Sequence, residues 1–198
     1  MIDILMQRTP YLAGGFAMNL VISGLSMTLG TLAGLVIGLI RARGGIAGKP
    51  ARLATDVCRN VPSFVLMFYM AFMLPSEIEL GDEIYKLPLW FKATLALTFP
   101  VIGFTSDQTV GYFRQKATGL KGARETFVVA WVQYFLIIIM ASATASVIGA
   151  DEIVGRANIV IASSNNPAFL LVTYSYVASW FIVTGLVVSG LSKQLVRA

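Results

Sequence analysis

The chain has 198 residues, of which 57% are hydrophobic and 13% charged, against about 25% charged in soluble domains. Such a composition cannot clothe a water-soluble sphere, whereas lipid tolerates an apolar exterior. A single cysteine, Cys58, and the absence of histidine exclude a disulfide framework, a Cys/His zinc cluster and a Ser-His-Asp triad.

Five apolar stretches are long enough, or nearly so, to cross a hydrocarbon core that needs about 20 helical residues. They predict an all-α integral membrane protein of one domain, residues 1–198, with spans near 16–40, 55–74, 88–106, 126–149 and 168–191. The opening MIDILMQRTPYLAGG lacks the basic-then-apolar order of a cleavable signal peptide, so the first span is expected to be retained. That span carries Gly30, Gly34 and Gly38, four apart, which leave a groove where a neighbouring backbone can approach. A basic, Gly-containing loop broken by Pro50 follows, and Pro62 is expected to open or kink the second helix. Cys58 beside Arg59 reads either as a small apolar residue or as a reactive thiol.

PSEIELGDEIYKLP is a polar, acidic connection suited to a water-facing loop with an interfacial helical turn. Trp90 fits an interfacial anchor at the start of the third span. ADEIVGRANIVIASSNNP reads as a short interfacial helix folded back on the bundle, and the acid pairs Asp82-Glu83 and Asp151-Glu152 as solvated.

The net charge of +5 reports orientation and not a nucleic-acid partner. Arg41, Arg43, Lys49, Arg52, Arg59, Arg114, Lys116, Lys121, Arg124, Lys193 and Arg197 fall on one side of the five spans. Only Arg8, Lys86, Lys92 and Arg156 fall on the other. The positive-inside rule then puts the C-terminus in the cytoplasm and the N-terminus outside.

No phosphate-binding loop or nucleophile elbow is present, and neither an enzyme nor a cofactor is expected. Polar groups at membrane depth are the candidates for a solute pathway: Thr105, Asp107, Ser142, Thr144 and Ser146. The hydroxyls read equally well as helix-packing groups bonded to their own backbone.

Several segments together resemble the permease subunit of a type I ABC importer, in the polar amino-acid uptake branch. Asp56-Val57-Cys58-Arg59-Asn60-Val61-Pro62 resembles that family's Glu-x-x-Arg-[Gly/Asn]-x-Pro stretch, and Ser142-Ala143-Thr144-Ala145-Ser146-Val147-Ile148-Gly149, then Glu152-Ile153, its segment before the last helix. The resemblance implies a five-helix permease core in a bacterial inner membrane. It also implies a second permease-type subunit, a cytoplasmic ATPase and a periplasmic binding protein as partners, and an amino acid or similar small polar solute as cargo. Of the family's ATPase-coupling pattern, Gly-x-x-Glu-Ala-Ala-x-x-x-Gly, only Gly122 and Glu125 stand. Thr126 and Phe127 replace the alanines, Trp131 the second glycine, and the interval to Gly149 is short. This departure opens an alternative: a permease-derived structural subunit of another membrane complex, with Trp131, Tyr134 and Phe135 packing against a partner.

Overall fold

The computed structural model describes residues 2–81, 83–164 and 166–197, with side chains through Ser192 except at Leu80. The readings placed on Asp82 and on the side chains of Lys193 and Arg197 fall outside the described residues. The helices are α1 (Ile2–Arg43), α2 (Gly48–Asn60), α3 (Ser63–Met73), α4 (Leu89–Ala117), α5 (Ala123–Ser142), α6 (Ile153–Ala162) and α7 (Ala168–Arg197). Strands β1 (Glu77–Leu80) and β2 (Glu83–Lys86) lie between α3 and α4, and a 3-10 helix (Ala143–Ile148) extends α5.

Two of these elements depart from expectation. The acidic connection is an antiparallel hairpin, with Glu77 opposite Lys86 and Leu80 opposite Glu83, a small exception in an otherwise helical fold. Its period-2 alternation, EIEL and EIYK, is a strand signal, and Gly81 supplies the positive φ that a tight hairpin needs. The basic connection after the first span is a helix, with Pro50 tolerated in its first turn. The stretch 55–74 is therefore two helices meeting at Val61–Pro62, where both residues are extended. Pro62 has no N–H to continue the ladder, and α3 starts afresh at Ser63.

Among the described residues, four helical segments are long and apolar enough to cross a membrane: α1, α4, α5 with its 3-10 extension, and α7. The apolar helix α3 has 11 residues, about 16 Å of rise, which is too short alone.

The glycine ridge positions everything else. A β-carbon on Gly30, Gly34 or Gly38 would lie 2.4, 2.7 or 2.6 Å from the Cβ of Val101, Thr105 or Thr109, respectively. Each step of four on α1 matches a step of four on α4 in the same direction, so the two helices run parallel in close contact. The returning leg α2–α3 runs antiparallel to α4, with Arg59 at Gly103 and Ala71 at Lys92. Helix α5 is antiparallel to α1: Trp131 meets Thr31, and Ser23 meets Ile138. Helix α7 is parallel to α1, with Tyr176 at Thr9 and Trp180 at Phe16.

The main apolar core lies between α1, α3, α4 and α5, around Ile22, Met67, Leu97, Val101 and Ile138. A second joins the N-terminal half of α1 to α6 and α7, around Leu12, Phe16, Ile153 and Phe169. Trp131, Tyr134 and Phe135 pack against the main core: Trp131 donates to Thr31, and Tyr134 stacks on Phe104 and donates to the Pro100 carbonyl. They are half-buried, with these contacts made to the chain's own core.

Candidate functional site

The helix directions gather polar side chains at two levels of the bundle. Asn19 and Arg41 mark them on α1, 22 residues apart, or roughly 33 Å along the helix. That separation is close to the thickness of a hydrocarbon core, about 30 Å.

At the Arg41 level three helices are tied by one carboxylate. Asp107 of α4 accepts from Arg41 Nη1 of α1 at 2.8 Å on Oδ1 and from Arg59 Nη1 of α2 at 2.9 Å on Oδ2. Arg41 also donates to Ser106 Oγ, which shares a 2.9 Å hydrogen bond with the buried Thr55 hydroxyl. Asp56 lies one helical turn before Arg59, 3.5 Å from its guanidinium. Gly103 lets this end of α2 approach, since a β-carbon there would meet Arg59 N at 2.9 Å. Asp56, Arg59 and Asp107 are thus brought together, and Arg41 joins them.

At the Asn19 level a fully buried carboxamide joins α1 to the end of α5 and the start of α6. Asn19 Nδ2 donates to Ser142 Oγ at 2.9 Å and to Glu152 Oε2 at 3.0 Å, and Asn19 Oδ1 accepts from Ile153 N at 3.1 Å. Glu152 caps α6, accepting from Val154 N and Gly155 N. Burial pushes its carboxyl above the ordinary glutamate range, against the pull of those backbone donors and Asn19. The expectation of a solvated Asp151-Glu152 pair therefore fails for Glu152, which is buried, and holds for the exposed Asp151. Asp151 binds Arg156 through both carboxylate oxygens, and Arg156 Nη1 donates to the Tyr11 carbonyl, clasping α6 to α1.

Lys92, at the start of α4, is also fully buried. Its ammonium donates to the Ala71 and Leu74 carbonyls at 3.1 and 2.8 Å, filling the open C-terminal end of α3 with a charge of the favourable sign.

The five pathway candidates do not converge. Ser142 belongs to the Asn19 node and donates to Ile139 O. Thr144 is exposed and Ser146 half-buried, and each donates to a carbonyl three residues back in its own tight turn. Thr105 is buried opposite Gly34, and its hydroxyl has no partner. Asp107 lies at the far end. Among the described residues no group of His, Cys, Asp or Glu could hold a metal ion.

Gly122 adopts φ +87 immediately before α5, and Glu125 is exposed in its first turn. Only residues 118–122 separate α4 from α5, and no further helix stands between them. Tyr112 and Phe127 meet edge to face, 6.4 Å between centroids, across this turn.

No family model matches the sequence, and no curated protein matches it. Solved structures do. A chain of an amino acid ABC transporter, crystallised with histidines, superposes with a TM-score of 0.75 at 21% identity, covering 98% of this chain and 96% of that one. A chain of a methionine ABC transporter in inward-facing conformations superposes with a TM-score of 0.66 at 15% identity, covering 94% of each. The fold is therefore that of the ABC importer transmembrane subunits, along nearly the whole chain. This is the architecture that the Asp56–Pro62 and Ser142–Gly149 segments resemble.

Proposed function

We propose that this chain is the permease subunit of an ABC importer that carries an amino acid or a similarly small polar solute across the bacterial inner membrane. The observation that carries the proposal is the full-length superposition on an amino acid ABC transporter. In this reading α2 and α3 together make the return crossing that neither could make alone. The basic Arg41 level is cytoplasmic and the Asn19 level periplasmic, following the Lys and Arg bias. The partners are a second permease-type subunit, an ATPase and a periplasmic binding protein. Glu125 and Gly122 offer the ATPase its contact, at the turn between α4 and α5.

One observation favours a second reading, a permease-derived structural subunit without ATPase coupling. The Gly122–Glu125 pair stands directly at the head of a membrane-crossing helix, so little of the chain projects from the bundle for an ATPase to grip.

Purification from native membranes in mild detergent, followed by mass spectrometry, separates the readings. The transport reading expects a stoichiometric ATPase. A stable complex without one overturns it in favour of the structural reading. Within the transport reading, Glu125→Ala lowers solute uptake while membrane abundance is unchanged; unaltered uptake removes Glu125 from any coupling role.

A further inference from the structure

At the Arg41 level, α1, α2 and α4 surround an open cavity of about 500 Å³, within the usual range for small-ligand sites. Its lining carries Arg41, Lys49, Arg52, Arg59 and Arg114 against Asp56 and Asp107. Both carboxylates are already engaged: Asp107 by Arg41 and Arg59, and Asp56 by Arg59. Lys49, Arg52 and Arg114 have no carboxylate within 4.0 Å among the described residues, so three uncompensated cations face one concavity. The first turn of α2, Gly48 and Lys49, forms part of the wall, and no side chain caps it. Like charges gathered in a cavity repel one another, and an anion that several of them share relieves that cost.

We propose that this cavity binds a phosphate-bearing anion, with Lys49, Arg52 and Arg114 as its principal ligands. Guanidinium groups suit phosphate because their planar donors pair with two oxygens at once. Two sources share this chemistry: the headgroup of an anionic phospholipid and a soluble phosphate compound. The setting favours lipid. Basic pockets between membrane helices on the cytoplasmic side are suited to anionic headgroups. Ile46, Leu53 and Val57, all exposed, stand next in the chain to the lining residues Gly45, Arg52 and Asp56 and offer apolar surface on which acyl chains can lie. The proposal rests on the membrane setting and not on transport, so it stands or falls separately from the importer reading.

The test uses the full-length chain in nanodiscs of phosphatidylcholine alone or mixed with phosphatidylglycerol. Retained lipid is measured by mass spectrometry after gradual delipidation, and Tm with and without added pyrophosphate. The lipid arm expects phosphatidylglycerol enriched roughly tenfold or more over the bulk mixture, and a higher Tm in its presence. Pyrophosphate raising Tm without lipid enrichment assigns the same cavity to a soluble phosphate compound. The variant Lys49→Gln, Arg52→Gln, Arg114→Gln abolishes either response. Arg43→Gln, Lys116→Gln, Lys121→Gln, which removes equal charge at the same level outside the cavity, retains it. Equal loss in both variants reduces the effect to general surface charge and overturns the proposal, as does the absence of any response in the wild type. Should the triple variant fail to fold, Arg52→Gln and Arg114→Gln alone each lower the response; if neither does, the proposal fails.

Discussion

Asn19→Ala removes one amide and unties three helices, α1, α5 and α6, at once. The substitution deletes hydrogen bonds to Ser142 Oγ, Glu152 Oε2 and Ile153 N, all in a buried setting. Interhelical hydrogen bonds in membrane proteins average about 0.6 kcal/mol and reach about 1.7 kcal/mol. Three give about 2–5 kcal/mol, and the bond to the Glu152 carboxylate belongs at the upper end because it is charge-assisted. Ser142→Ala deletes one of the three and should cost about 0.6–1.7 kcal/mol by the same reckoning. Asn19→Asp sets a second carboxyl against Glu152, so it should destabilise more than alanine at neutral pH and recover as the medium is acidified. The assay is reversible unfolding in mixed micelles, followed by tryptophan fluorescence, with Asn19→Ala, Glu152→Gln and the double variant forming a cycle. If Asn19→Ala stays within about 0.5 kcal/mol of wild type, or the two changes add independently, the node contributes no coupling and the reasoning is refuted.

Gly34→Ala places a β-carbon 2.7 Å from Thr105 Cβ and 2.8 Å from the Ile102 carbonyl. Parting α1 from α4 to admit it should cost about 1–3 kcal/mol, read as a fall in Tm. Gly24→Ala, with nothing within 4 Å of the added carbon, should leave Tm unchanged. Lys92→Met keeps the bulk but strips two donors from the end of α3, and hydrogen exchange should accelerate at Ala71–Leu74 while the rest of α4 stays protected. The clasp between α6 and α1 has a predictable acid limit. Arg156 holds the Asp151 carboxyl below the ordinary value of 3.8, so its contribution is fully present above that value and is lost as pH falls through the lower, folded one. Glu152 works in the opposite sense: its raised carboxyl contributes most when protonated, and that contribution fades as pH rises above the ordinary glutamate value of 4.5. Asp151→Asn should therefore remove the acid-side loss of α6 docking, measured as Tm against pH, and leave the Glu152 limb intact. No change in the acid limb would show that the clasp carries no folding linkage.

What the sequence could express depended on whether a residue's neighbour was close in the chain. The Gly30, Gly34, Gly38 ridge advertised a packed seam because its period matches one helix face, although its partner, α4, could not be read. Pro62 marked a break because the missing N–H acts locally. The hairpin was legible in principle: EIELGDEIYK alternates with period 2 around a Gly-Asp pair, and its many acids suggested a loop instead. Asn19 carried a signal of its own, since an amide inside an apolar run finds nothing to bond in lipid. Lys92 was harder to read. A lysine near the end of a span usually reaches toward water, and only the α3 carbonyls, some 20 residues earlier in the chain, explain its burial. For the same reason Ser142, Thr144 and Ser146 looked like one site in the sequence but separate in space, because the tight 3-10 turn points successive hydroxyls to different sides.

The glycine seam also limits how this bundle can change shape. Sliding α1 along α4 would force Val101, Thr105 and Thr109 out of three notches simultaneously, and twisting one helix about the other would close the notches on them. The two helices must therefore travel together, as a single stiff beam about 40 Å long. Flexibility is left to what hangs from that beam: the α2–α3 leg, jointed at Val61–Pro62 and pinned to α4 just before the joint by Arg59 and at the end of α3 by Lys92. A rearrangement of this chain is then a bending of that jointed leg between two fixed pins, and its amplitude is set by how far Pro62 can turn before one of them lets go.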